Sequence, residues 1–218
     1  MQSDQNMFQS VSKQTLQRLP LYLNYLKTRS KEGISNISAP IIADSLNLNE
    51  VQVRKDLALV SSGGRPKTGY RIDKLIADIK SFLGYDNVNE AILVGAGQLG
   101  KALLSYKGFD EYGLNIVAAL DIDEELIGSM VNGKQILSME KMNDLCKRLN
   151  VHMGIITVPA ENAQLVCNML IESGILAIWN FSPVHLNVPE HILVQNENIA
   201  TSLAVLSKHL IEKMSKNM

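Results

Sequence analysis

The feature that most constrains the fold is a glycine motif in the middle of the chain, GAGQLG at residues 95–100, directly preceded by the apolar run AILV. A short apolar run is typical of a buried strand, and the residues after the motif are typical of a helix. In such a unit the three glycines permit a tight turn, close approach of a pyrophosphate and close helix–strand packing. The motif therefore predicts a dinucleotide site at the start of a helix.

An acidic residue supports this interpretation. Asp121 ends the next apolar run, 21 residues after Gly100. A carboxylate at this place accepts hydrogen bonds from the adenosine ribose, and its charge repels a 2′-phosphate. NAD(H) is therefore favoured over NADP(H). A coenzyme A site is the alternative, because related folds hold that nucleotide on a similar turn.

The rest of the second part alternates between strand and helix patterns. Strands are predicted at 90–94, 115–121, 151–157 and 175–180, and helices at 97–106, 138–149 and 160–173. This alternation predicts a doubly wound, Rossmann-like parallel sheet with right-handed crossovers. Ligands of such sheets bind at the carboxyl ends of the strands. We therefore expect residues 157–160 and 180–183 to line the crevice. Phe181 either touches a nicotinamide or a partner subunit, or is a buried aromatic at a strand end without a further function.

The first third of the chain predicts short helices. Apolar spacing indicates helices at 16–31, 39–46 and 73–83, and another that begins after Asn49. Ser38 and Asn49 are candidate N-caps, and Gln52 occupies the third position of a capping box. The glycine-bounded basic segment at 61–70 predicts a hairpin or loop. Three helices followed by a basic hairpin predict a winged helix-turn-helix domain.

The third of these helices is the candidate recognition helix. Val53 and Leu57 belong to its apolar stripe, and Lys55 points away from that stripe, with Arg54 and Gln52 beside it. These side chains are predicted to enter the major groove, whereas a solvated surface is the alternative interpretation. The residues expected to contact DNA are Ser38, Gln52, Arg54, Lys55, Arg65, Lys67, Gly69 and Tyr70.

Charge is divided between the two parts of the chain. Residues 1–84 contain twelve Lys and Arg against seven Asp and Glu, whereas the remainder contains nine against fifteen. A basic first part suits an anionic partner. We expect a cytoplasmic protein, because the sequence shows neither a signal peptide nor an apolar run long enough for a membrane span. The four histidines show no metal-ligand spacing, and we assign no metal.

The last stretch, residues 199–214, has apolar residues at helical spacing. Such a seam needs a surface to cover it. Its periodicity alone leaves open whether that surface belongs to the same chain or to a second subunit.

Six segments together resemble the Rex family of redox-sensing transcriptional repressors, over almost the whole chain. They are RLPLY at 18–22, QVRKDL at 52–57, VGAGQLG at 94–100, YKGF at 106–109, VPAE at 158–161 and NFSPV at 180–184. The resemblance implies a homodimer that binds palindromic operator DNA and releases it when NADH replaces NAD⁺, to control genes of fermentation and anaerobic respiration. It further implies a last helix swapped into the neighbouring subunit, Phe181 near the facing subunit's cofactor, and Tyr106 in the redox switch.

The resemblance has two departures. Residues 59–67 replace a Tyr-Phe-Gly-type segment that is common in the family, so the wing differs. Some members pair an Asp with an Arg of the first helix, but this chain has Asn180 and Asn24 at those positions, so a charged switch between them is absent.

The predicted division is a winged-helix DNA-binding domain at 1–84, a Rossmann NAD(H)-binding domain at 85–198 and a C-terminal dimerisation helix at 199–218. The residues expected to contact the cofactor are Gly95, Ala96, Gly97, Gln98, Leu99, Gly100, Asp121, Ile122, Asp123, Thr157, Val158, Pro159, Asn180, Phe181, Ser182 and Tyr106. We expect no catalytic residues. An NAD-dependent oxidoreductase is an alternative, and it would need a proton-transfer group near the nicotinamide. His185 is the only histidine close behind a predicted strand end, and no second acid stands beside it in the sequence.

Overall fold

The computed structural model describes residues 11–216, with no description of the side chains of Ile199 and Lys216. The chain divides into two units after Asn87. Over the described residues, no helix combines the length and apolar character needed to cross a bilayer. Each unit has its own apolar core.

From residue 11 onward, the first unit is built from four helices and a small antiparallel strand pair. Its elements are α1 (Lys13–Lys31), β1 (Asn36–Ile37), α2 (Ala39–Ser45), α3 (Glu50–Val60), β2 (Tyr70–Arg71) and α4 (Ile72–Phe82). β1 pairs with β2, so that Ile37 lies opposite Tyr70. The segment between α3 and β2 forms the predicted basic hairpin, closed by backbone hydrogen bonds between Arg65 and Gly69 in both directions.

Most of the expected apolar faces are buried in this unit, with two exceptions. Leu19, Leu23 and Leu26 of α1 are fully buried, but Leu16 is exposed because it lies in the first turn of the helix. Phe82 is also exposed, since it is the last residue of α4.

The predicted caps behave differently from one another. Asn49 accepts a hydrogen bond from the Gln52 backbone N–H, as its N-cap position predicts. Ser38 occupies the N-cap position of α2, but its side chain makes no capping hydrogen bond. The second half of the predicted capping box is wrong: the Gln52 side chain donates to Asp56 and does not accept from the Asn49 backbone N–H.

The second unit is a seven-stranded sheet with helices and 3₁₀ turns. Its strands are β3 (Asn89–Val94), β4 (Leu114–Asp121), β5 (Met130–Val131), β6 (Lys134–Ser138), β7 (Met153–Ile156), β8 (Ala177–Asn180) and β9 (Leu193–Asn196). Its helices are α5 (Gln98–Ser105), α6 (Met142–Leu149), α7 (Ala160–Glu172) and α8 (Ile199–Lys216), with 3₁₀ turns at Lys107–Tyr112 and Met139–Lys141.

The strand order is β5-β6-β4-β3-β7-β8-β9, with every pair parallel except β5 with β6. Without β5, this is the doubly wound order of the Rossmann fold, with the order reversing between β3 and β7. The sequence patterns found β3, β4, β7 and β8 but missed β5, β6 and β9. Cys146 and Cys167 are free and buried in this unit, and burial raises the pKa of both thiols.

Candidate dinucleotide and nucleic-acid sites

The glycine turn after β3 requires glycine at two of its three positions. Gly95 has a φ of +101°, and a Cβ there would lie 2.9 Å from the carbonyl carbon of Thr157. A Cβ on Gly100 would lie 2.0 Å from the Gly95 carbonyl oxygen. A Cβ on Gly97 would have no atom of the described residues within 4 Å. The first and third glycines are therefore needed by the fold, and the second leaves open space beside the backbone.

Helix α5 begins next to that open space. Gly97 is its N-cap, and the Lys101 N–H makes a backbone hydrogen bond to the Gly97 carbonyl. The N–H groups of Gln98, Leu99 and Gly100 precede this first hydrogen bond of the helix, and N–H groups of a first turn have no partner within the helix. Together with the positive end of the helix dipole, they suit a phosphate.

Asp121, at the end of β4, holds the glycine turn from the neighbouring strand. Its Oδ2 accepts from the Ala96 N–H at 2.6 Å, and its Oδ1 accepts from the N–H groups of Ile122 and Asp123 at 2.7 and 3.0 Å. A carboxylate offers about four acceptor positions, so one remains for a ligand. Asp123 in turn accepts from the Glu125 N–H, and Ile122 is exposed.

A cavity of 380 Å³ lies at the carboxyl ends of β3, β4 and β7. Its lining brings together Gly95, Gly97, Asp121, Ile122, Asp123, Thr157, Val158 and Pro159 from the predicted set. The Thr157 hydroxyl contacts the carbonyl oxygens of Val94 and Gly95 at 3.0 and 2.7 Å, which ties the end of β7 to the glycine turn. The cavity therefore sits at the reversal of strand order, where doubly wound sheets bind nucleotides.

Asn180, the last residue of β8, and the loop that follows it are not part of that lining. Asn180 is fully buried, and its amide donates to the Ser182 and Val184 carbonyls and to Asn196 Oδ1. Its Oδ1 accepts from the Ser182 N–H, and the Ser182 hydroxyl donates to the Val158 carbonyl. These two polar side chains thus shape the loop that carries Phe181.

Four aromatic rings form a row in the second unit. Tyr106 contacts Phe109 at a centroid distance of 4.9 Å, Phe109 contacts Trp179 at 5.7 Å, and Trp179 contacts Phe181 at 4.8 Å. Tyr106 is exposed at one end of the row, and Gly108 leaves room for its ring because a Cβ there would approach within 2.5 Å. The row connects Tyr106, expected to take part in the redox switch, with Phe181, expected near the facing subunit's cofactor.

The candidate nucleic-acid face consists of α3 and the hairpin. Lys55 is exposed and makes no ion pair within the described residues, whereas Arg54 is paired with Glu50 one turn earlier. Arg65 and Lys67 are exposed in the hairpin, which ends at Gly69. Gly69 has a φ of +71°, and a Cβ there would lie 2.2 Å from the Ile37 carbonyl oxygen.

The hairpin borders a cleft of 520 Å³ in this unit. Arg65, Gly69 and Tyr70 line it together with Arg71 and Lys74. Burial raises the pKa of the Tyr70 hydroxyl. Ser38, half-buried before α2, does not line this cleft, although its backbone lies against Gly69.

One functional feature escaped the sequence reasoning: a buried carboxylate on α3. Asp56 is 2% exposed and accepts from the Arg18 guanidinium through two hydrogen bonds, from the Tyr22 hydroxyl and from the Gln52 amide. Burial by itself raises the pKa of Asp56, but the hydrogen bonds from Arg18, Tyr22 and Gln52 outweigh it and hold that pKa below its usual value. Arg18 and Asp56 belong to two of the motifs quoted above, but their separation by 38 residues hides the contact in the sequence.

Comparison with known proteins extends over both units. Residues 10–58 match the family described as "Putative DNA-binding protein N-terminus", and residues 86–184 match the family described as "CoA binding domain". The redox-sensing transcriptional repressor Rex of Bacteroides fragilis is 40% identical over 200 residues, which cover 92% of this chain and 91% of the relative. Rex of Treponema denticola is 38% identical over 88% of this chain and 91% of its own.

The chain belongs to the Rex family of redox-sensing transcriptional repressors. Its fold agrees with that of RSP, a Rex-family repressor, solved in complex with β-NAD⁺ and operator DNA. That structure has a TM-score of 0.88 and 31% identity, and 95% of each chain is covered. RSP in complex with β-NADH has a TM-score of 0.86 at 30% identity, with coverage of 95% of this chain and 98% of that one.

Membership in this family decides between the classes that the sequence left open. Rex proteins are transcriptional regulators and not enzymes, so the oxidoreductase alternative is wrong. The winged helix and the Rossmann-like sheet of the fold prediction are confirmed. Exchange of α8 between subunits stays a prediction.

Proposed function

We propose that this chain is a redox-sensing repressor that binds palindromic operator DNA and releases it when NADH replaces NAD⁺. Genes of fermentation and anaerobic respiration would then respond to the NADH:NAD⁺ ratio. The observation that carries the proposal is the pairing, in one Rex-family chain, of an exposed cationic α3 with a nucleotide-sized crevice that ends on Asp121. Both proposed ligands, DNA and NAD(H), are held in the cytoplasm, where we place the protein.

The proposed NAD(H) site uses the glycine turn and Asp121. The pyrophosphate would lie over Gly97 and the first turn of α5, where there is open space and free N–H groups. The adenosine ribose would take the remaining acceptor position of Asp121. Asn180 and Ser182 would act by positioning the loop of Phe181, because their polar groups are already used within the chain.

The proposed DNA site uses α3 and the hairpin of the 1–84 domain. Lys55 would reach into the major groove with Gln52 and Arg54, while Arg65 and Lys67 would meet phosphate or the minor groove. Of the two cations of this set on α3, Arg54 is paired with Glu50 and Lys55 has no ion pair within the described residues. Lys55 would therefore form the stronger new contact with a phosphate or a guanine edge.

The proposed assembly is a homodimer through α8. Apolar side chains along this helix are more than half exposed, namely Leu203, Val205, Leu206, Leu210, Ile211 and Met214. A second copy of the chain, with α8 exchanged between subunits, would cover them. A two-fold dimer also places two recognition helices for the two half-sites of a palindrome.

A gel-shift titration tests the whole proposal. Wild-type protein on a palindromic promoter fragment should be released by NADH, and NAD⁺ should shift the NADH concentration that is needed. Lys55→Ala should abolish the shift while NADH affinity stays within a few-fold, whereas Lys31→Ala, which removes an equal charge at the end of α1, should still bind. Retention of the DNA at saturating NADH would contradict the redox function.

Coenzyme A is the second candidate ligand, because residues 86–184 match the CoA binding domain family. Competition between NADH and coenzyme A, followed by nicotinamide fluorescence, separates the two. We expect NADH to bind and coenzyme A not to displace it.

A further inference from the structure

The amide of Gln52 is held in one orientation by a buried neighbour. Gln52 is an exposed residue near the start of α3, and its Nε2 donates to Asp56 Oδ1 at 3.0 Å, one helical turn further along. Residues near the N-terminus of a recognition helix are the ones that reach base edges. The orientation of the Gln52 amide therefore influences which base α3 recognises.

Asp56 cannot accept the opposite orientation. Arg18 contacts both of its oxygens, with Nε at 2.7 Å from Oδ2 and Nη2 at 3.0 Å from Oδ1, and the Tyr22 hydroxyl donates to Oδ2 at 2.8 Å. An ionised carboxylate only accepts hydrogen bonds. If the amide turned over, its oxygen would face the Asp56 oxygen with no proton between them, at a place where Asp56 is almost fully buried.

The desolvation free energy of the buried Asp56 carboxylate also indicates that this residue serves to orient its neighbours. A buried ion pair gains little net stability over an apolar substitute, because both charges lose their hydration. Placing one on a recognition helix is therefore better explained by the geometry it enforces. That geometry fixes both the contact of α3 with α1 and the direction of the Gln52 amide.

We propose that Asp56 holds the Gln52 amide by its nitrogen and leaves its oxygen to DNA as the main contact, so that Gln52 favours a base with a major-groove amino group, adenine or cytosine. Only these two bases carry such a donor there, at N6 and N4, whereas guanine and thymine offer acceptors. Without Asp56, the Gln52 amide could rotate and present either its oxygen or its nitrogen, and so form a hydrogen bond with any of the four bases. This inference rests on the proposed DNA-binding function and adds a residue that determines specificity.

Selection from a random duplex library identifies the base. The wild-type protein and Gln52→Ala are each used to enrich duplexes, and the position whose preference disappears in the variant is the one that Gln52 reads. At that position adenine or cytosine should exceed guanine and thymine by about fivefold, the value of one hydrogen bond. A preference for guanine or thymine, or no position that depends on Gln52, would overturn the inference.

A base analogue tests the contact in the unaltered protein. The selected adenine is replaced by purine, or the selected cytosine by 2-pyrimidinone, each of which lacks the amino group. Wild-type affinity should fall about fivefold, and the affinity of Gln52→Ala should not change. Equal losses in both proteins would overturn the contact.

Asp56→Asn tests the orienting role. Its amide can donate to Gln52 Oε1, which lets the Gln52 amide turn over, so discrimination at this one position should disappear while the others remain. Tyr22→Phe is the control, because it removes one hydrogen bond from Asp56 and leaves Gln52 in place. If Asp56→Asn does not fold, the analogue experiment decides. Failure of the wild-type protein to enrich any sequence overturns the DNA-binding function itself, whereas enrichment without a Gln52-dependent base overturns this inference alone.

Discussion

Asp121 is expected to supply a large share of the affinity for NADH, and Asp121→Ala removes that share. In the proposed complex the remaining acceptor position of the carboxylate accepts from a ribose hydroxyl, and a hydrogen bond to a charged group contributes roughly 1.5–3 kcal/mol. Loss of this bond corresponds to a rise in Kd of about tenfold to a hundredfold. The variant also releases the N–H groups of Ala96, Ile122 and Asp123, which loosens the glycine turn and adds to the loss.

Nicotinamide fluorescence on titration with NADH measures this change. Glu124→Ala is the matched control, since it removes one negative charge from an exposed residue of the same loop that does not line the cavity. Thermal unfolding of both variants shows whether the fold is kept. A second expectation concerns NADPH: without the Asp121 charge, the preference for NADH over NADPH should shrink. If Asp121→Ala binds NADH within about twofold of the wild type, the ribose contact is wrong.

Three further results are expected. Gly100→Ala should lower the free energy of unfolding by about 1–3 kcal/mol because its Cβ meets the Gly95 carbonyl, whereas Gly97→Ala should fold normally and lose NADH affinity, as thermal unfolding and titration will show. The lowered pKa of Asp56 stabilises the fold above its unfolded pKa of about 3.9, and this contribution is lost as the pH falls through the folded pKa, so acid unfolding should be less steep in Asp56→Asn. Leu206→Glu should convert dimers to monomers in sedimentation, and an intact dimer would argue against α8 as the interface.

The sequence predicted the parts of the fold that follow from local patterns. The glycine motif located β3, the turn and α5, because steric limits at Gly95 and Gly100 leave few alternatives. Asn49 was recognised as an N-cap from its position alone. The strands β5, β6 and β9 were missed because they are short or lie at or beside an edge, where they leave a weak apolar pattern.

The candidate site was predictable where a motif dictates backbone geometry and was not where side chains meet across the fold. The place of Asn180 at the end of a strand predicts a cofactor contact, but its amide makes its hydrogen bonds within the chain. Gln52 was read as half of a capping box, and its real partner is Asp56. The Gln52–Asp56 contact spans one turn of α3, a spacing that the sequence does contain. The Arg18–Asp56 pair joins α1 to α3 across 38 residues, which spacing along the sequence does not reveal.

Release of DNA by NADH is limited by how differently NADH binds the two states of the dimer. A ligand shifts an equilibrium only through its difference in affinity for the two conformations, and a hundredfold difference supplies about 2.7 kcal/mol. Linkage is reciprocal, so operator DNA must weaken NADH binding by the same factor. We expect packing and neutral hydrogen bonds to supply this energy, because Asn24 and Asn180 carry no charge. The aromatic row from Tyr106 to Phe181 is a set of contacts of that kind, and its rings interact without charge. The NADH response of this chain should therefore depend little on salt, even though its DNA affinity depends on salt strongly.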